Sequence, residues 1–197
     1  MSFFKSYIKE NFLLYAFVFV LYFAAAIIGI YWAMSAKEGY VSDITSYIQS
    51  VVGVKTAPLN VFKNGIASNF KYCLALCISA SFIVFLPVCF FLIIFKGFSA
   101  GFASSFIIRL YGIKGLGVSL VSVVMPLFLS LPMWFIIYIL SVQFSINTFK
   151  LRKKISSHER WKMYVSYMAK VLVLFAFISI VTLIEAFLSP YVFSPLK

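Results

Sequence analysis

Carboxylates are scarce in this chain. Five acids, Glu10, Glu38, Asp43, Glu159 and Glu185, stand among 197 residues, together with a single histidine, His158. The acids are scattered rather than paired, which argues against glycan hydrolysis and other two-carboxylate acid–base chemistry. One histidine in a basic stretch lacks the companions that a metal site needs. Cysteine is limited to Cys73, Cys77 and Cys89, all in one apolar run. Without polar neighbours they read as small buried hydrophobes rather than redox or metal-binding thiols. Ser104 and Ser105 have no base at helical spacing, so a nucleophile is not expected there. Gly112, Gly115 and Gly117 form a turn and not a phosphate loop, because no Lys-Ser/Thr pair follows them. These shortages predict a protein without catalytic residues, cofactor or metal.

What is abundant is apolar. Hydrophobic residues make up 63% of the chain and charged residues 11%, and the mean hydropathy is +1.04. That balance does not suit a soluble domain, and several runs reach the roughly 18 residues that a spanning helix needs. The fold class expected is an all-α integral membrane protein: about five transmembrane helices, an extracytoplasmic amphipathic helix and a basic juxtamembrane helix on the cytoplasmic side. Residues 1–197 read as one polytopic domain, with no room for a separate soluble enzyme. The net charge is +12. Beside a bilayer such charge points to anionic lipid, and nucleic acid is not expected as a partner.

The spans expected are 12–34, 72–95, 97–111, 117–144 and 171–189. The first is too long for a signal peptide and reads as a retained helix. The outer loop, 35–71, contains an amphipathic stretch over 40–53, with Val41, Ile44, Ile48 and Val52 at helical spacing. Asn64-Gly65 suggests a turn before the second span. Within 72–95 Pro87 predicts a kink. Lys96-Gly97 then reads as a tight hairpin, with Gly97 and Gly101 giving close helix packing. The run after it is short, which allows either a short full span or a re-entrant half-helix. Pro126 and Pro132 predict bends in the fourth span. The inner loop, 145–170, is strongly basic, and Ser156 with Glu159 matches a capping box for a helix starting at Ser157.

The basic block places 150–170 in the cytoplasm. The amino terminus and Lys96 then lie inside, and 35–71, 110–117 and the carboxyl-terminal tail lie outside. Glu185 is the one acid within an apolar run. A buried charge of this kind needs a partner, and Lys71 and Arg109 are the candidates at the same outer end. An ion or proton pathway is the other reading of Glu185.

Several short motifs occur in a definite order. They are Phe62-x-Asn64-Gly65, Asn69-Phe70-Lys71-Tyr72, Leu86-Pro87-Val88, Phe95-Lys96-Gly97-Phe98-x-x-Gly101-Phe102, Ser122-x-x-x-Pro126 with Pro132, and Glu185-Ala186-Phe187-Leu188-Ser189-Pro190. In this order they resemble the stage II sporulation protein M family of bacterial membrane proteins, over nearly the whole chain. The resemblance implies a non-catalytic scaffold in endospore formation. Such a scaffold would hold stage II sporulation proteins D and P, which degrade peptidoglycan, at the septal membrane for septal thinning and engulfment. Asp43, Ser46, Gln49, Asn64 and Asn69 on the outer segment are the candidate docking residues, and a homo-oligomer is possible. The alternative is a transport or permease component, suggested by the prolines, the short third run and Glu185.

Overall fold

The computed structural model describes residues 12–53, 58–151 and 156–192. Among them every residue lies in a helix except Ala36, Lys37, Phe82 and Ser156, and there is no strand. The helices are α1 (Phe12–Ser35), α2 (Glu38–Gly53), α3 (Pro58–Ser81), α4 (Leu86–Ser119), α5 (Met125–Leu151) and α6 (Ser157–Val192). A short 3₁₀ turn, Ile83–Phe85, joins α3 to α4, and a π-helical turn, Leu120–Val124, joins α4 to α5. Residues 1–11, 54–57, 152–155 and 193–197 lie outside the described residues, with the amino-terminal cations, Lys55, part of the basic loop and most of the tail.

Three helical stretches are long and apolar enough to cross a membrane: Phe12–Ser35, Ile83–Leu151 and Ser157–Leu188. Their outward faces are greasy. Phe17, Val20, Ile27 and Ile28 on α1 are exposed, as are Leu172, Val173, Phe177 and Phe187 on α6. Water would not tolerate an apolar surface of that extent, whereas lipid does.

The middle stretch, Ile83–Leu151, has 69 residues and would be roughly 100 Å long as one straight helix. It is not straight. Gly112 has φ 58° and ψ −134°, a conformation that suits glycine. A Cβ placed on Gly115 would run into the carbonyl of Ile107. In a straight helix residues 107 and 115 would be about 12 Å apart, so the chain doubles back at Gly112. The glycine turn expected over 112–117 is thus a reversal centred on Gly112.

The hairpin expected at Lys96-Gly97 does not exist. Both residues lie inside α4, and the turn comes earlier, at Phe82–Phe85. Phe82 is extended (φ −132°, ψ 126°) and its carbonyl accepts from the N–H of Phe85 at 3.0 Å. Pro87 follows in the first turn of α4. There its missing N–H removes no intrahelical hydrogen bond, so it starts a helix instead of kinking one. The span expected over 72–95 is therefore divided between α3 and α4. The run over 97–111 is not a short helix of its own, because the helix that contains it begins at Leu86.

Two further boundaries follow local chemistry. The amphipathic stretch is α2, Glu38–Gly53, and the rest of the expected outer loop is the first half of α3. Asn64-Gly65 makes no turn; Gly65 sits in α3, where a Cβ would meet Cγ2 of Thr182 at 2.6 Å. At the basic end Glu159 Oε2 accepts from the backbone N–H of Ser156 at 3.0 Å. The Ser156 hydroxyl accepts from the N–H of Glu159 at 3.3 Å. This capping box starts α6 at Ser157, and the helix continues through the basic segment into the last apolar run.

The core draws on five helices. Val18 and Tyr22 come from α1, Cys73 and Leu76 from α3, Cys89 and Ile93 from α4, Ile137 and Tyr138 from α5, and Val171 and Ile178 from α6. The tightest pairing is α1 on α4. Cβ atoms on Gly97 and Gly101 would collide with the carbonyls of Tyr22 and Ala26, and one on Gly29 with the carbonyl of Phe98. These glycines join α4 to α1, not to a hairpin neighbour, and let the two backbones approach without a hydrophobic driving force.

Candidate functional site

Lys96 is one of few charges inside the bundle. It lies about 15 Å along α4 from Leu86. Its Nζ is 4.0 Å from the centre of the Trp134 ring and 5.0 Å from that of Tyr72. Trp134 is only 2% exposed. The two ring faces take the place of part of the hydration that the ammonium loses.

Above these rings opens a cavity of about 460 Å³. Lys96, Tyr72 and Trp134 line it together with Glu185. The order of depth follows from the helices. Asn69 precedes Tyr72 by one turn on α3 and donates to Thr182 Oγ1 at 3.0 Å. Glu185 lies nearly one turn beyond Thr182 on α6. Glu185 is thus about 9 Å nearer than the ring cage to the end where α1 stops and Gly112 turns. Lys96 and Glu185 thus bring opposite charges to one cavity.

The walls are polar in a particular way. Ser99 Oγ donates to Phe95 O at 2.8 Å, Ser122 Oγ to Val118 O at 2.7 Å and Ser130 Oγ to Leu127 O at 3.3 Å. Thr182 Oγ1 donates to Ile178 O at 3.0 Å. Each hydroxyl has spent its proton on its own helix, so what it offers the cavity is an acceptor oxygen. Ser122 belongs to the π-helical turn, a feature that often marks functional positions. Pro126 also lines the cavity and has no N–H for the turn before it. Pro132 lies on α5 with its side chain exposed.

Beneath the rings the bundle is closed. Leu76, Ile93, Ile137 and Tyr138 are each 0% exposed, and the Tyr138 hydroxyl donates to Leu92 O at 3.4 Å. A buried contact lies deeper still, where Tyr167 and Ser141 share a hydrogen bond of 2.8 Å and the Tyr167 ring stacks on Phe144.

The structure redistributes the site residues read from the sequence. The charge facing Glu185 is Lys96, not Lys71 or Arg109. Lys71 is exposed on α3. Arg109 Nη1 donates to Ala33 O at 2.7 Å and Nη2 to Ala36 O at 2.9 Å. The guanidinium thereby satisfies carbonyls at the end of α1, which has no basic residue of its own in its last turn. Asn69 lines the cavity wall and Asn64 is exposed on α3. Ser46 is exposed on α2, and the side chains of Asp43 and Gln49 lie outside the described residues.

Sequence reasoning missed Tyr72, Trp134 and Thr182. The available signal was Lys96 itself, a lone cation between two apolar runs. It reads as a loop when charges are taken as span ends, and as an intramembrane site when the runs are joined.

No curated protein and no solved structure matches the chain. A family model described as Stage II sporulation protein M matches residues 16–190. The helices that build the cavity lie almost wholly within that match, and the chain belongs to the stage II sporulation protein M family.

Proposed function

We propose that this sporulation-related membrane protein is a non-catalytic scaffold that recruits and holds peptidoglycan-degrading partners at the septal membrane during endospore formation. The family match across residues 16–190 carries the reading. The partners proposed are stage II sporulation proteins D and P. The topology proposed is five crossings: α1, α3, the two arms on either side of Gly112, and α6. The amino terminus lies inside, and α2, the Gly112 turn and the carboxyl terminus lie outside. Supporting this count are the reversal at Gly112 and the basic block near Ser157, which is held inside by its charge. In this frame α2 lies along the outer interface, its polar face turned toward the partners.

The experiment combines imaging with pull-down in sporulating cells. Cells lacking the gene should arrest with a thick, bulging septum. Replacing Asp43, Ser46 and Gln49 together by alanine should leave protein level normal and abolish septal recruitment of the two partners. Full engulfment in the deletion would overturn the scaffold reading. Normal recruitment by the triple variant would remove the α2 face from it.

The intramembrane pair Lys96–Glu185 favours a second reading, a transport component. Against it stands the closed floor of Leu76, Ile93, Ile137 and Tyr138, which leaves the polar cavity blind.

A further inference from the structure

A cavity that holds one cation and one anion selects its ligand by charge pattern. A simple anion would be attracted by Lys96 and repelled by Glu185; a simple cation would meet the reverse. In a low-dielectric site either would leave one protein charge poorly matched, which is costly. A ligand carrying both charges matches both. The wall hydroxyls agree with this. Ser99, Ser122 and Ser130 present acceptor oxygens because their hydroxyls donate to their own helices, and acceptors in the cavity wall suit the N–H groups of an ammonium. Lys96 supplies the donors, fixed between Trp134 and Tyr72.

The order of the charges adds direction. Lys96 is the deeper, and Glu185 lies about 9 Å nearer the helix ends. An ethanolamine head group carries the same pair of charges, a phosphate at one end and an ammonium at the other. A volume of about 460 Å³ is ample for such a head group. We propose that this cavity binds a zwitterion of the phosphoethanolamine type, its phosphate on Lys96 and its ammonium on Glu185. This site is separate from the outer face assigned to partners, and its occupancy is measurable without them.

The test uses the full-length protein purified in detergent and native mass spectrometry or calorimetry. The probes are dioctanoyl phosphatidylethanolamine, dioctanoyl phosphatidylglycerol and free glycerophosphoethanolamine. The ethanolamine lipid should bind at least about tenfold more tightly than the glycerol lipid, which has the phosphate without the ammonium. Glu185→Gln should erase most of that preference, and Lys96→Met should weaken both lipids. If glycerophosphoethanolamine competes as well as the lipid does, the ligand is a soluble zwitterion; if only the lipid binds, the bilayer is the source. Either outcome supports the site. Equal binding of the two lipids, tighter binding of the glycerol lipid, or no binding of any probe overturns it. Should the variants fail to fold, the comparison of probes on the unaltered protein still decides.

Discussion

The ammonium of Lys96 lies 4.0 Å from the centre of the Trp134 ring, joining α4 to α5 within the bundle. A cation held over a desolvated ring is worth about 2 kcal/mol or more. Trp134→Phe keeps a ring and should lower stability less than Trp134→Leu. A double-mutant cycle with Lys96→Met, read by thermal unfolding in detergent, should give a coupling of about 1–2 kcal/mol for the leucine variant. Strict additivity would show that the ring only fills space.

The contact of α1 with α4 depends on the absence of side chains. A Cβ on Gly101 would enter the backbone of Ala26, whereas one on Gly117 would meet nothing within 4 Å. Gly101→Ala should therefore cost about 1–3 kcal/mol by overpacking, and Gly101→Leu should abolish folded protein in detergent. Gly117→Ala should be close to neutral. Similar melting temperatures for the two alanine variants would mean that the helices separate easily.

Arg109 grips the end of α1 through two backbone carbonyls. Lysine is a point charge and cannot make both bonds in that fork geometry. Arg109→Lys should lose roughly 1 kcal/mol, and Arg109→Ala about 1–3 kcal/mol, since two partly buried carbonyls then lose their donor. Glu185→Gln should add independently to either change. Strong non-additivity between Arg109 and Glu185 would restore the ion pair suggested by their positions in the sequence.

Much of the fold was legible in the residues. The first apolar run, the amphipathic stretch ending at Gly53, the glycine turn near 112 and the capping box at Ser156 each rest on interactions within a few residues. Such features are encoded locally, and α1, α2, the Gly112 reversal and the start of α6 match them. The second and third spans were misplaced because hydropathy treats a lysine as the end of a membrane run. Lys96 is tolerated inside α4 only because Tyr72, Trp134 and Glu185 come from three other helices.

Composition and periodicity by themselves determined that this protein is helical, apolar and membrane-bound, because burying a helix in lipid is a property of each segment alone. Tertiary structure decided which charges belong together. Glu185 lies 89 residues from Lys96 and 76 from Arg109 along the chain, and no local rule chooses between them. The choice was made by packing. Arg109 reaches the open carbonyls at the end of α1, and Lys96 is left facing Glu185 across a cavity in which Ser99, Ser122 and Ser130 donate to their own helices.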